Sequence, residues 1–195
     1  MKKYTIILDA AHGEETPGKR SPDGTFREYK WSRDRIKDLK QLLEESGFEV
    51  FESNSTNREI GLSKRAANAN KIKRTNKLFI SIHSNASGNG TWELGRGYSV
   101  YTTKGKTKSD LIAEHIMNQF KIDFPELRPR VDKSDGDLDI EENFTVIAKT
   151  ECPAVLVEWL FQDNKEDLKL LMNSDYNTKF VSSLLTTIKK LDETL

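Results

Sequence analysis

Short apolar runs alternate along this chain with longer amphipathic stretches, and that alternation limits the fold more than any other feature. Residues 4–9 (YTIILD) form the first strand-like run. Residues 28–45 turn helical, with Trp31, Leu39, Leu42 and Leu43 near one face, charges opposite, and Gly47 as a stop. Residues 48–53 read as a second strand. Residues 59–73 read as a helix carrying Ile60, Leu62, Ala66, Ala69 and Ile72 as apolar positions. Residues 77–83 and 97–103 read as strands three and four. Ser109 is placed to cap a helix reaching Phe120, and residues 143–150 and 153–161 read as two further strands. Asn164 is placed to cap a short helix, and Phe180, Leu184, Ile188 and Leu191 stripe a final one. Strands separated by helices predict one α/β domain over residues 1–195. It holds a twisted, mainly parallel or mixed sheet of about six strands, with helices on both faces.

In such sheets, functional groups collect at the carboxyl ends of strands. The chain has three histidines. Two of them, His12 in "YTIILDAAHGEET" and His83 in "KLFISIHSNASGNG", follow apolar runs. His115 sits inside an amphipathic helix and reads as a packing residue. Two neutral imidazoles with one carboxylate make a catalytic zinc site that leaves a fourth position for water. Two acids qualify as the third ligand. Glu28 opens the first helix after a loop long enough to fold back to His12; Glu15 forms a His-x-x-Glu pair with it. Glu158 stands in the most apolar stretch of the chain, where a lone carboxylate is costly without a purpose, and is placed to act as a base.

Composition narrows the partners. Lys plus Arg equals Asp plus Glu at 31 each, so no net field favours nucleic acid, and none is expected as a partner. The single cysteine, Cys152, excludes an intrachain disulfide and a Cys-based zinc site, and reads as a small buried hydrophobe. No segment is long enough to span a membrane. The apolar run near the amino terminus is too short for a signal peptide and is ended by Asp9. Synthesis in the cytoplasm without a signal peptide is therefore expected, as is a monomer. The acidic stretch "DKSDGDLDIEE" fits calcium-loop spacing only at Asp135, Gly136 and Glu142, and reads as a solvated loop.

"IILDAAHG", "FREYKW", "LSKRAANANK", "LFISIHSNA" and "ECPAVLVEWLFQDNKEDLKLL" follow one another in a familiar order and spacing. In these the chain resembles, over nearly its whole length, the zinc-dependent N-acetylmuramoyl-L-alanine amidases of the amidase-3 type, peptidoglycan hydrolases of bacteria and of phage endolysins. The resemblance implies a phosphorylase/hydrolase-like fold, zinc held by His12, Glu28 and His83, Glu158 as the catalytic glutamate, and Leu62, Arg65, Ala69 and Asn70 as scaffold. It implies peptidoglycan as substrate, cut at the amide between the lactyl group of N-acetylmuramic acid and L-alanine. Action on the wall would follow phage-type release, or the chain is an excised domain of a secreted amidase. Two departures matter. The family's Asp-Pro-Gly-His-Gly-Gly loop is here Asp-Ala-Ala-His-Gly-Glu. The loops "SGNGTWELGRG" and "PRVDKSDGDLDIEEN" match least and are expected to wall the groove. Trp92 and Trp159 lie near strand-end loops, placed either to stack on substrate or simply to pack; no other substrate-binding residue is assigned. Two alternatives stay open: a carboxypeptidase-like zinc peptidase, and a silent wall-binding module on the same fold.

Overall fold

The computed structural model describes residues 2–134 and 136–194. Its elements run β1 Thr5–Ala10, α1 Glu28–Glu45, β2 Glu49–Glu52, α2 Leu62–Asn70, β3 Lys77–Asn85, β4 Tyr98–Thr102, α3 Lys108–Asp123, β5 Ile140–Glu141, α4 Thr145–Ala148, β6 Ala154–Phe161, α5 Lys165–Leu171 and α6 Ser174–Thr194. The strands form one sheet in the order β2-β1-β3-β6-β4-β5. All neighbours are parallel except β4, which runs antiparallel to β6. The expected mixed α/β sheet is what forms.

Both faces of the sheet are buried, which is why its strands read as continuous apolar runs. Ile6 and Leu8 of β1 face one way, onto Leu39 of α1, Phe120 of α3 and Phe180 of α6. Ile7 faces the other way, with Phe79 and Leu156, onto Ala69 of α2 and Val146 and Ile147 of α4. Trp159 of β6 is fully buried on the first face, its ring centroid 4.5 Å from that of Phe180. Of the two roles open to it, Trp159 therefore has packing, and contact with substrate is ruled out. Cys152 packs at the edge of the second cluster, where burial pushes its thiol up.

Four expectations need correction. Residues 143–150 are not a strand: Thr145–Ala148 is the single helical turn α4. A short apolar run cannot be assigned by periodicity, and here adjacent Val146 and Ile147 are both buried, which a turn of helix allows and a one-sided strand does not. The sixth strand is instead β5, two residues inside the acidic stretch. The second helix starts at Leu62 rather than at residue 59, because Gly61 at φ 86° lies outside helical space. The third helix is capped by Thr107, not Ser109: the Thr107 hydroxyl accepts from the Ser109 amide while Asp110 accepts from the Thr107 amide. The acidic stretch is not uniformly solvated either. Asp139 is buried and accepts a hydrogen bond from the Thr102 hydroxyl. Asp135, one of the three positions that fit calcium-loop spacing, lies outside the described residues.

Candidate metal centre

The three parallel strands β1, β3 and β6 end side by side, so whatever follows them meets at one edge. His12 lies two residues past β1 with φ 48°, in the left-handed region that costs a non-glycine residue energy. Arg33 of α1 holds it there: Nη2 donates to the His12 carbonyl at 2.8 Å and Nη1 to that of Ala11 at 2.9 Å. Gly13 must be glycine, since a Cβ would lie 2.0 Å from the Glu59 backbone nitrogen. Below it, Arg65 is wholly buried, donating to Asp9 Oδ2 at 3.1 Å and to the Ala10 carbonyl at 3.0 Å. Ser53 and Ser81 complete the Asp9 carboxylate. Arg65 thus ties together the segments that present His12, in keeping with a scaffold role. Leu62, on the same helix, instead lines the cleft.

The loop of residues 13–27 does fold back. Arg20 and Arg27 form an antiparallel bridge around a turn at Asp23-Gly24, and the Glu28 amide donates to the Lys19 carbonyl. This delivers Glu28, the first residue of α1, beneath the two histidines. Its Oε1 lies 3.0 Å from His83 Nδ1 and 3.4 Å from His12 Nε2. One ligand atom from each residue falls within 4.8 Å of the others. The Ser84 amide donates to Oε1 and Gln162 Nε2 to Oε2, both at 3.3 Å, fixing the carboxylate's orientation. Glu15, the rival ligand, is elsewhere: its Oε1 accepts from the Glu59 amide and faces Arg58. His115 is far along the chain on α3 and takes no part in the cluster.

The donor set suits zinc. Atoms about 2.1 Å from a tetrahedral ion lie roughly 3.4 Å apart, close to the two separations that Glu28 makes. Burial pushes the Glu28 carboxyl up, but the His12 and His83 contacts outweigh it and hold the group ionised, well below the usual range. Burial of His83 outweighs the pull of Glu28 and lowers its pKa, keeping the ring neutral and free to ligate. Glu158 Oε2 has no hydrogen-bond partner among the described residues. Such orphans are rare in buried sites and mark this one as incomplete with protein groups alone.

Glu158 is paired with His83 across β3 and β6. It faces a cleft of about 160 Å³ with His12, Lys19, Leu62, His83, Phe144, Val146 and Leu156. Burial, and then the charge of Glu28, raise its carboxyl well above the ordinary range; Lys19 acts weakly against them. Sequence reasoning missed Lys19, Ser84, Arg33 and Gln162. A signal for Lys19 existed: the Ser-Pro-Asp-Gly turn after it is a hairpin marker that brings residues 19 and 28 together.

A family model for N-acetylmuramoyl-L-alanine amidase matches residues 6–190. Over 97% of its length the chain is 26% identical to N-acetylmuramoyl-L-alanine amidase AmiC of Neisseria meningitidis, and over 88% it is 27% identical to the probable cell wall amidase LytH of Staphylococcus epidermidis. It covers 53% and 52% of those proteins, so the chain spans about half the length of the curated relatives it matches. The crystal structure of an N-acetylmuramoyl-L-alanine amidase from Clostridium difficile 630 superposes with a TM-score of 0.86, covering 100% of this chain and 99% of that one at 22% identity, which speaks for the fold. Since the matched region runs from the first strand into the last helix and contains all four residues of the cluster and cleft, the chain belongs to the N-acetylmuramoyl-L-alanine amidase family.

Proposed function

We propose that this chain is a zinc-dependent peptidoglycan hydrolase that cuts the amide between N-acetylmuramic acid and L-alanine. One observation carries the reading: His12, Glu28 and His83 converge on a single point, with the Glu158 carboxyl held level with His83 by strand pairing. Family membership and the names of the relatives support the choice of substrate. His12, Glu28 and His83 would hold the ion. Zinc bound there supplies a Lewis acid for the amide carbonyl and brings the pKa of water from about 15.7 toward about 7.

The remaining work falls to the chain. Glu158 takes the proton from the attacking water and returns it to the departing alanine nitrogen, which leaves poorly as an unprotonated amine. A carboxyl whose pKa is raised by burial suits this, because it keeps the proton between the two steps. Gln162 and the Ser84 amide keep Glu28 turned toward the histidines, as outer partners do in metal sites. Leu62, Phe144, Val146 and Leu156 make the cleft walls apolar and thin the water around the reacting amide. The carboxypeptidase alternative leaned on Glu15, and the position of that side chain lends it no support. Among the described residues, no helix is long and apolar enough to cross a membrane.

Digestion of purified peptidoglycan tests the assignment. Amino-terminal labelling and mass spectrometry should find new L-alanine amino termini and intact glycan strands stripped of their stems. Free D-alanine with stems still attached would overturn it, and undamaged wall would favour a binding module.

A further inference from the structure

The two loops that depart most from the family's pattern meet beyond the end of β6. Residues 94–97 and 126–130 enclose a cavity of about 290 Å³ into which Arg96, Arg128 and Arg130 project. The arrangement is built by the backbone. Tyr98, the first residue of β4, donates to the Arg128 carbonyl and accepts from the Arg130 amide. This bridge holds residues 128–130 extended, so Arg128 and Arg130 emerge on the same side. Gly97 permits the approach: at φ 96° a Cβ there would sit 1.9 Å from the Arg128 carbonyl oxygen. Arg96 is aimed by its Nε, which donates at 2.9 Å to Asp167, a fully buried carboxylate that also accepts from the Gly97 and Phe161 amides. That leaves its terminal nitrogens for the cavity. Arg130 lies over the Phe161 ring, 5.1 Å from its centroid, and neither Arg128 nor Arg130 has an ion-pair partner among the described residues. The one exposed acid in the wall, Glu126, accepts from the Tyr176 hydroxyl.

We propose that this arginine cavity is the subsite for a free carboxylate of the stem peptide, two or three residues beyond the amide that is cut. The inference rests on the amidase reading and supplies what that reading lacks, a determinant of peptide preference. The spacing fits. Glu158 and Phe161 pair with His83 and Asn85 of β3, two strand steps or about 7 Å apart, and a peptide advances up to about 3.5 Å per residue. A peptide leaving the cleft along β6 therefore brings its second or third residue to the cavity. Stem peptides carry free carboxylates at such positions, and guanidinium groups pair with carboxylates in two-pronged fashion.

The test compares the zinc-loaded wild type with Arg128→Gln/Arg130→Gln on two soluble muramoyl-peptides that differ only in whether the stem carboxylates are free or amidated. Arg96 is left alone, because removing it would strand the buried Asp167. The wild type should prefer the free acid, and the double variant should lose about tenfold or more of that preference in kcat/KM, mainly through KM. Arg128→Lys/Arg130→Lys should keep part of it, which guards against a folding defect. An unchanged acid-to-amide ratio would overturn the proposal. A separate arm stands if the wild type cleaves neither substrate, an outcome that would defeat the amidase reading alone. The backbone amide signals of Gly95, Arg96 and Gly97 are followed by NMR as L-Ala-γ-D-Glu is added to the wild type. Saturable shifts that vanish with the amidated dipeptide and in the double variant support the subsite. No shift, or equal shifts with inorganic phosphate, overturns it.

Discussion

Replacing Glu158 by glutamine should make the metal-free protein more stable while it removes turnover. Burial, and then the Glu28 carboxylate, hold the Glu158 carboxyl well above its ordinary value of 4.5. Above pH 4.5 the unfolded chain has lost this proton while the folded chain still carries it. Wild-type stability therefore falls as pH rises from 4.5 toward the folded pKa, by at most about 1.4 kcal/mol per pH unit for one proton. Water reaching the open cleft makes the true slope smaller. Glutamine has no such proton, so the variant's advantage should widen across the same window. For a domain of this size each kcal/mol moves Tm by about 2–4 °C. Binding of zinc beside His83 favours the carboxylate form and should narrow the gap. The assay is thermal unfolding by circular dichroism at pH 5, 6, 7 and 8, with chelator and with zinc, alongside turnover, which should fall about 100-fold or more with zinc content kept. Parallel wild-type and variant curves in chelator would refute the argument, since they would mean that Glu158 titrates alike folded and unfolded. Loss of zinc with activity would make Glu158 a ligand.

Glu28→Ala should lower zinc affinity strongly and Glu15→Ala hardly at all, read by elemental analysis after dialysis; the reverse would reinstate the His-x-x-Glu ligand set. Gly97→Ala should destabilise by more than about 1 kcal/mol in urea unfolding, because its Cβ meets the Arg128 carbonyl at a positive φ; an unchanged midpoint would mean that residues 128–130 are not held against β4. Trp159→Ala should cost about 3–5 kcal/mol as a large buried ring, whereas Trp92→Ala, at a partly exposed site, should stay within about 0.5 kcal/mol; equal costs would contradict their placement. Burial, with Asp137 adding to it, pushes the Asp139 carboxyl up to about 7. Asp139→Asn should therefore gain on the wild type between pH 4 and 7 and hold a constant advantage above 8, and a gap that shrinks with rising pH would show that the carboxyl is solvated.

The sheet was legible because its strands are buried on two faces and its helices on one. Each kind of element leaves its own pattern, so β1, β3, β6, α1 and α6 fall where their apolar residues put them. What failed was short. Four residues of α4 and two of β5 carry too little periodicity to be told apart, and the tertiary partner decides. Asn70 of α2 grips the segment after α4, donating to the Lys149 carbonyl and accepting from the Glu151 amide. The site divides in the same way. His12 and His83 were visible as strand-end residues. The resemblance, and the precision with which a helix start holds a ligand, favour Glu28 over Glu15; the loop closing through the Arg20–Arg27 bridge that delivers it was not visible from residues alone. Gln162 was hidden for a different reason. Strict alternation puts residues 158, 160 and 162 on one face, and β6 does not keep strict alternation.

That break in β6 explains how chemistry and peptide preference can sit on one strand without interfering. His83 pairs with Glu158 and Asn85 with Phe161, so two steps on β3 span three on β6. The extra residue is accommodated at Leu160, whose φ of 58° is costly for a bulky side chain, on the order of 1–3 kcal/mol. The bulge lets Trp159 and Leu160 both enter the core beneath α6. It also lets pairing resume with the Gln162 amide on the Asn85 carbonyl, which brings Gln162 to Glu28. Beyond it, Phe161 leans away from the cleft, under Arg130 and against Gly95. Before the bulge the strand is tied to the histidine-bearing strand and has little freedom to vary. After the bulge it supports two loops whose arginines touch none of the four residues of the cluster and cleft. Those loops can change charge and length while His12, Glu28, His83 and Glu158 stay in register, which is how one hydrolytic edge can be fitted to walls of different peptide chemistry.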